Sequence, residues 1–542
     1  MSGTPRDSRA NGLLATVRTA IATGALIASL PVDASDRCVG CHPDEVDGYL
    51  NTGMGRSLAR PDSAQPTGTY HHGPSGTRFE IELSDGGMVH RIRRGGFEAS
   101  YGIDYVVGSG NAARGYLVRV GNAVFQSPVT FYSAEGRWGM APGMEGLTDP
   151  DFTRPVTAEC LWCHAGKPRP IAGSVNRYRS PVFEAEAISC DRCHGPSDAH
   201  LDSPAATTIF NPAKAPPRQR DSVCEQCHLA GLARVLNPGQ TFGSFEPGRP
   251  LEDFWAVFVG APERPDARGR FQVVSHVEQL ALSRCAQRSG ESLWCGSCHD
   301  PHSAPERPKR SISGKCVECH KGKLDAEHES LADDCVTCHM PQRQSHDSGH
   351  SAFTDHRIMR RPAAHPPSER PRRLQAWAPQ DGPLGKRNLG IATIRLARSE
   401  AFAGDVYEGL TVLAEVTSEF EEDPALLEAM GTGLVLAGSP RGGLLALQRA
   451  VQAAPDRALY RHSLAAAWWE LDNAKEAIDE INRAIDREPL LESGYHMLAR
   501  VHLASGNRTG ARVAWASLLG QRRRLILPRR QVRHMGENGL FP

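Results

Sequence analysis

Cys316-Val317-Glu318-Cys319-His320 is repeated at an offset of 19 residues by Cys335-Val336-Thr337-Cys338-His339. Reading outward in both directions, the same Cys-x-x-Cys-His spacing recurs at Cys38/Cys41/His42, Cys160/Cys163/His164, Cys190/Cys193/His194, Cys224/Cys227/His228 and Cys295/Cys298/His299. Seven copies use fourteen of the fifteen cysteines. A Cys-x-x-Cys pair alone would also suit half of a zinc site or a redox pair. A histidine directly after every second cysteine is required by neither, and is the attachment pattern for c-type haem. Two intervening residues let both sulfurs reach one porphyrin, and the adjacent imidazole takes the iron. The pattern therefore predicts seven covalently attached haems, with His42, His164, His194, His228, His299, His320 and His339 as proximal ligands. Cys285, the remaining thiol, reads as a small buried apolar residue.

Residues 35–360 must house all seven sites. That is too little polypeptide to wrap each haem separately, so the expected fold is mainly α with an irregular, haem-packed core. The interval between His42 and Cys160 carries no motif. There Phe79, Ile81 and Leu83 alternate with glutamates, Asp85-Gly86 supplies a turn, and Met88–Ile92 follows. Tyr116–Val120, Gly121-Asn122 and Ala123–Phe125 repeat the pattern, so a small β-rich insert is expected at about 66–140.

Residues 1–34 read as a signal peptide: Arg6, Arg9 and Arg18 precede an apolar run from Thr19 to Leu30, and Val32-Asp33-Ala34 offers small residues for cleavage. The run is shorter than the roughly 20 residues that span a bilayer. No later stretch is long enough either, so no transmembrane span is expected. Export to the periplasm or an extracytoplasmic surface agrees with c-type haem chemistry. The 62 basic and 62 acidic residues give no electrostatic bias toward nucleic acid. Haem propionates would tip the holoprotein acidic.

Residues 361–388 are rich in Pro and Arg and read as a semi-rigid linker. Beyond it, Pro455 and Pro489 stand 34 residues apart, the tetratricopeptide period. Ala465, Trp468, Ala477, Ile481 and Ala484 fill its small and large positions; Leu427, Gly431, Leu434, Gly443, Leu447 and Ala450 precede in phase, and Tyr495, Leu498, Ala499, Ala511 and Trp515 follow. A weaker first unit begins near Gly390. Residues 389–522 are therefore expected to form an all-α repeat solenoid that docks a redox partner, and 523–542 a basic tail compatible with peripheral membrane contact.

The phrases Cys193-His194-Gly195-Pro196 with His200, Ser275-His276 ahead of Cys285, Cys298-His299-Asp300-Pro301-His302, Cys338-His339-Met340-Pro341 and Thr354-Asp355-His356-Arg357 resemble those of exported multihaem cytochromes c. That group includes the tetrahaem carriers of ammonia oxidation, pentahaem nitrite reductase and hydroxylamine oxidoreductase. The resemblance covers roughly residues 35–362 and implies His200, His276, His302, His350 and His356 as second axial ligands, then His328, then His71 or His72. Met54 stands where similar proteins carry a histidine; as a ligand it would raise its iron's potential. All seven motifs end in histidine, whereas nitrite reductase uses lysine at its catalytic haem. The reading is an electron carrier; the alternative is an oxidoreductase acting on a small nitrogen or sulfur compound at one five-coordinate haem.

Overall fold

The computed structural model describes residues 37–84, 87–261, 276–304, 308–321, 334–344, 352–360, 371–397, 399 and 402–526. The signal segment 1–34, His328, His350 and the tail beyond Ile526 lie outside these.

Two antiparallel sheets face each other early in the chain. One has four strands in sequential order: Gly68–His72, Thr77–Ser84, Gly87–Arg94 and Phe97–Gly102. Its central hairpin pairs Phe79 with Ile92 and Leu83 with Met88, which places Phe79, Ile81, Met88 and Ile92 on the buried face. The other has seven strands, from Leu58–Ala59 to Arg154–Pro155, and contains the Val120–Ala123 turn foreseen from Gly121-Asn122. Tyr116, Val118, Phe125, Trp138 and Met140 from it complete one apolar core with the first sheet.

This corrects the expectation of a mainly α, haem-packed first part with a small insert. Strands extend from Leu58 to Ala185 and reappear at Ala233–Leu236 and Trp255–Gly260. Trp255, Ala256, Val257 and Phe258 are all buried, so the strand lacks the period-two alternation that identifies half-exposed strands. The expected linker at 361–388 is likewise corrected over its described part. Leu374–Ala376 pairs with Phe258–Gly260, and helix starts at Gly382. Average Pro and Arg content concealed a short strand whose pairing partner is distant in sequence.

The C-terminal region consists of four helical hairpins: α1 (Gly382–Leu396) with α2 (Val406–Ala414), α3 (Pro424–Leu436) with α4 (Pro440–Ala453), α5 (Ala458–Glu470) with α6 (Ala474–Arg487), and α7 (Glu492–Ala504) with α8 (Arg508–Ile526). Each hairpin closes where small residues meet. A Cβ on Gly443 would come within 2.6 Å of the Gly431 carbonyl oxygen, and one on Gly390 within 3.1 Å of that of Gly409. Ala465, Ala477, Ile481 and Ala484 are fully buried. This region is a tetratricopeptide-like repeat domain.

The repeats are fastened to the first part at two places. Ile391, Ala392 and Ile394 of α1 pack on Val235, Ala256 and Phe258. There the buried Arg387 donates to Asp423 Oδ2 at 2.7 Å and to the Leu236 carbonyl at 2.7 Å. Farther along, the Val175 N–H donates to Glu488 at 3.1 Å, and Arg177 donates to the Arg487 carbonyl at 2.8 Å. The solenoid is an integral wall of the molecule, without the hinge a linker would give.

Candidate functional site

Five of the seven motifs close a helix at their histidine: Ala158–His164, Asp191–His194, Pro217–His228, Pro308–His320 and Cys335–His339. On a helix, residues three and four apart share a face, so both thiols and the imidazole of a motif point the same way. Thr157 and Asp334 cap two of these helices by accepting from the Cys160 and Thr337 N–H groups.

The motifs surround one continuous cavity of about 3510 Å³. All seven motif histidines line it, with Cys38, Cys41, Cys163, Cys190, Cys193, Cys224, Cys227, Cys295, Cys298, Cys316, Cys319, Cys335 and Cys338; Cys160 alone of the motif cysteines is absent from its wall. Cavities for one small ligand span about 300–1,000 Å³, so this one has room for several large groups side by side. The cysteines are all free thiols. Among the described residues no three His, Cys, Asp or Glu side chains converge on a metal position.

Thiols of different motifs lie close together. Cys38 is within hydrogen-bonding reach of Cys190, Cys163 of Cys227, and Cys224 of Cys295. The first motif thus lies beside the third, and the second and fifth beside the fourth.

Histidines outside the motifs then stand opposite those within them. His42 and His200 have ring centroids 6.4 Å apart with 23° between planes, His194 and His302 5.9 Å and 20°, and His299 and His356 6.2 Å and 30°. His228 and His276 are closer, at 5.3 Å and 76°. His276 also meets His356 edge-on at 4.6 Å. Four of the six expected second ligands are thus beside motif histidines, while His328 and His350 fall outside the described residues. Met54 lies on the cavity wall, but the place facing His42 belongs to His200.

His71 and His72 are not on that wall. His72 is buried between Ser75 Oγ at 2.8 Å and the Glu145 carbonyl at 2.9 Å, and His71 is exposed on the strand Gly68–His72. They belong to the β region, whose sheet pairing the resemblance could not reveal.

Several rings bond a backbone carbonyl through Nδ1. It lies 2.9 Å from the Phe210 carbonyl in His194, 2.8 Å from that of Met359 in His339, 3.0 Å from that of Thr354 in His356, and 3.2 Å from that of Ala205 in His200. A carbonyl only accepts, so Nδ1 carries the proton and Nε2 keeps its lone pair. Metal-binding histidines are commonly oriented in this way. Burial pushes His164, His194, His228, His276, His299 and His356 below the ordinary imidazole pKa, His228 to about 4 and His276 to about 3. At neutral pH they are in the neutral, ligating form.

Sequence reasoning missed the residues that tie the motifs together. Arg192, inside the third motif, donates to the Trp162 carbonyl and to Gln226 Oε1, each at 2.9 Å. Glu225, inside the fourth, accepts from Trp377 Nε1 at 2.9 Å and pairs with Arg218. No spacing rule marks these variable positions.

No protein-family model matches the chain. TPR repeat-containing protein PA0015 of Pseudomonas aeruginosa is 28% identical over 69 residues, which are 13% of this chain and 66% of that protein. The chain thus spans just under two thirds of the curated relative it matches. Among solved structures, MamA 41-end from Desulfovibrio magneticus RS-1 is 18% identical with a TM-score of 0.24, covering 26% of this chain and 77% of that one. The MamA RS-1 ArsTM double mutant is 20% identical with a TM-score of 0.24, covering 26% and 76%. Overlays of that extent add nothing to the repeat geometry described above. Among the described residues no helix is long and apolar enough to cross a membrane.

Proposed function

We propose that the chain is an exported electron-transfer protein carrying seven covalently attached c-type haems along one connected cavity. The observation that carries this reading is the spacing of the facing imidazoles. Each of three motif histidines has an outside imidazole within reach, so such a pair would be able to hold one haem iron between its two rings. The pairs His42/His200, His194/His302 and His299/His356 lie at 6.4, 5.9 and 6.2 Å, and three of these six rings present a free Nε2 by virtue of their carbonyl-bound Nδ1.

Haem bound at these sites would supply reversible one-electron transfer, the iron chemistry being the cofactor's own. The chain's residues contribute attachment, orientation and exclusion of water. The motif cysteines would hold each haem, His200, His276, His302 and His356 would supply second ligands beside four of the motif histidines, and the contacts between motifs would keep neighbouring sites close enough for electrons to pass. The repeat domain, packed against the same body through Val235, Ala256 and Phe258, would dock a redox partner.

Electron paramagnetic resonance of the natively matured protein tests this, with low-spin ferric signals from the paired sites as the expected result. A protein without haem, or wholly high-spin, would contradict it. The second reading, an oxidoreductase acting on a small nitrogen or sulfur compound, draws on His164, which faces the cavity with no second imidazole against it among the described residues. It predicts a high-spin fraction that binds nitrite or cyanide.

A further inference from the structure

Arg192 occupies a variable position of the third motif, yet it is buried, 8% exposed. Its guanidinium carbon lies 3.3 Å from the centre of the Trp162 ring, in the second motif. Nη1 donates to the Gly166 carbonyl at 3.1 Å, and Nη2 to the Trp162 carbonyl and to Gln226 Oε1 in the fourth motif, both at 2.9 Å. Gln226 answers by donating from Nε2 to the Arg192 carbonyl at 3.0 Å. Nη2 is also 4.0 Å from the Cys227 sulfur. One side chain thus touches three motifs.

Every partner in that set is a neutral oxygen or an aromatic face, and Nε is buried with no partner. No carboxylate pairs with Arg192 among the described residues. Arginine does not deprotonate in proteins, so the junction holds a full positive charge, and no side chain among the described residues neutralises it. A buried unpaired ion is expensive, and breaking such an environment is rarely neutral. If only a staple were needed, a neutral donor would serve at lower cost.

We propose that Arg192 is a positioning residue whose fixed charge raises the reduction potential where the second, third and fourth motifs meet, making that branch point the place where electrons collect. This rests on the haem reading above. An electron arriving at a site adds negative charge, and a cation held in low dielectric favours that state. The Trp162 face and the Gln226 amide keep the guanidinium fixed without neutralising it. The fourth motif meets the second through Cys163 and Cys227 and the fifth through Cys224 and Cys295, so routes branch beside this charge.

The test uses the matured, full-length protein with a haem count on every sample. In a potentiometric titration followed by visible absorbance, Arg192→Gln is expected to move at least one wave to lower potential and none upward, while Arg192→Lys restores the original curve. Gln226→Glu sets a carboxylate beside Nη2 and is expected to reproduce the downward shift while keeping the arginine. Full haem content with titration curves superimposable on the unsubstituted protein's, for both Arg192→Gln and Gln226→Glu, overturns the proposal, as does failure of all three variants to retain haem, which would make Arg192 a structural staple. Absence of haem from the unsubstituted protein instead defeats the functional reading on which it rests.

Discussion

Replacing Arg387 by Met tests whether the repeat domain and the cavity region form one cooperative body. Arg387 is 1% exposed, and its ion-pair partner Asp423 is also buried at the side chain. The substitution fills most of the space but leaves the Asp423 carboxylate without its cation and the Leu236 carbonyl without a donor. Removing one member of a buried pair costs about 3–5 kcal/mol, mostly the penalty of the abandoned charge. Asp423 also caps α3 through Oδ1, accepting from the Ala425 and Leu426 N–H groups, a role asparagine performs equally well. Arg387→Met/Asp423→Asn should therefore recover about 1–3 kcal/mol relative to the single variant. Urea unfolding followed by circular dichroism measures both. A loss below about 1 kcal/mol in Arg387→Met, or no recovery in the double variant, would refute the reasoning that this joint is dry and charge-paired.

Three further outcomes follow from single sites. Gly443→Ala should destabilise the second hairpin by about 1–3 kcal/mol, since its new methyl would press on the Gly431 carbonyl oxygen at 2.6 Å and on Val435 Cγ2 at 2.7 Å; thermal unfolding reads the loss. His90 is wholly buried in the β core, and burial lowers its pKa to about 3. The unfolded chain then binds more protons than the folded one between about pH 6.5 and 3, so stability falls as pH drops through that window, on the order of 4 kcal/mol in all. His90→Phe should flatten this part of the pH–stability curve of the β region, and an unchanged slope would remove His90 as its source. His200→Met should raise the potential of the first site by exchanging imidazole for thioether, seen as one wave displaced upward in a potentiometric titration.

The seven motifs were legible because each is a local pattern, complete within five residues. The repeats were legible because Ala465, Ala477, Ile481 and Ala484 answer to a packing geometry that recurs every 34 residues. Both β-hairpins showed through alternation and turn residues. The strand Trp255–Gly260 did not, being apolar on both faces, and its neighbour Leu374–Ala376 was hidden inside a Pro- and Arg-rich stretch. Second ligands posed a different difficulty: His200, His276, His302 and His356 have no signature of their own, and only folding shows what stands opposite them. Met54 illustrates the limit. Its position after the first motif suggested a ligand, while the ring facing His42 comes from the far side of the third motif. Arg192 lay beyond sequence reasoning altogether, because its meaning depends on Trp162 and Gln226 arriving at the same point.

The central claim is most directly tested by the intact mass of natively matured protein, paired with tryptic mapping of each Cys-x-x-Cys-His peptide. The account predicts a mass increased by seven haems and a thioether-linked porphyrin on every one of the seven peptides. Unmodified cysteines at those positions, or zinc released on denaturation, would contradict it.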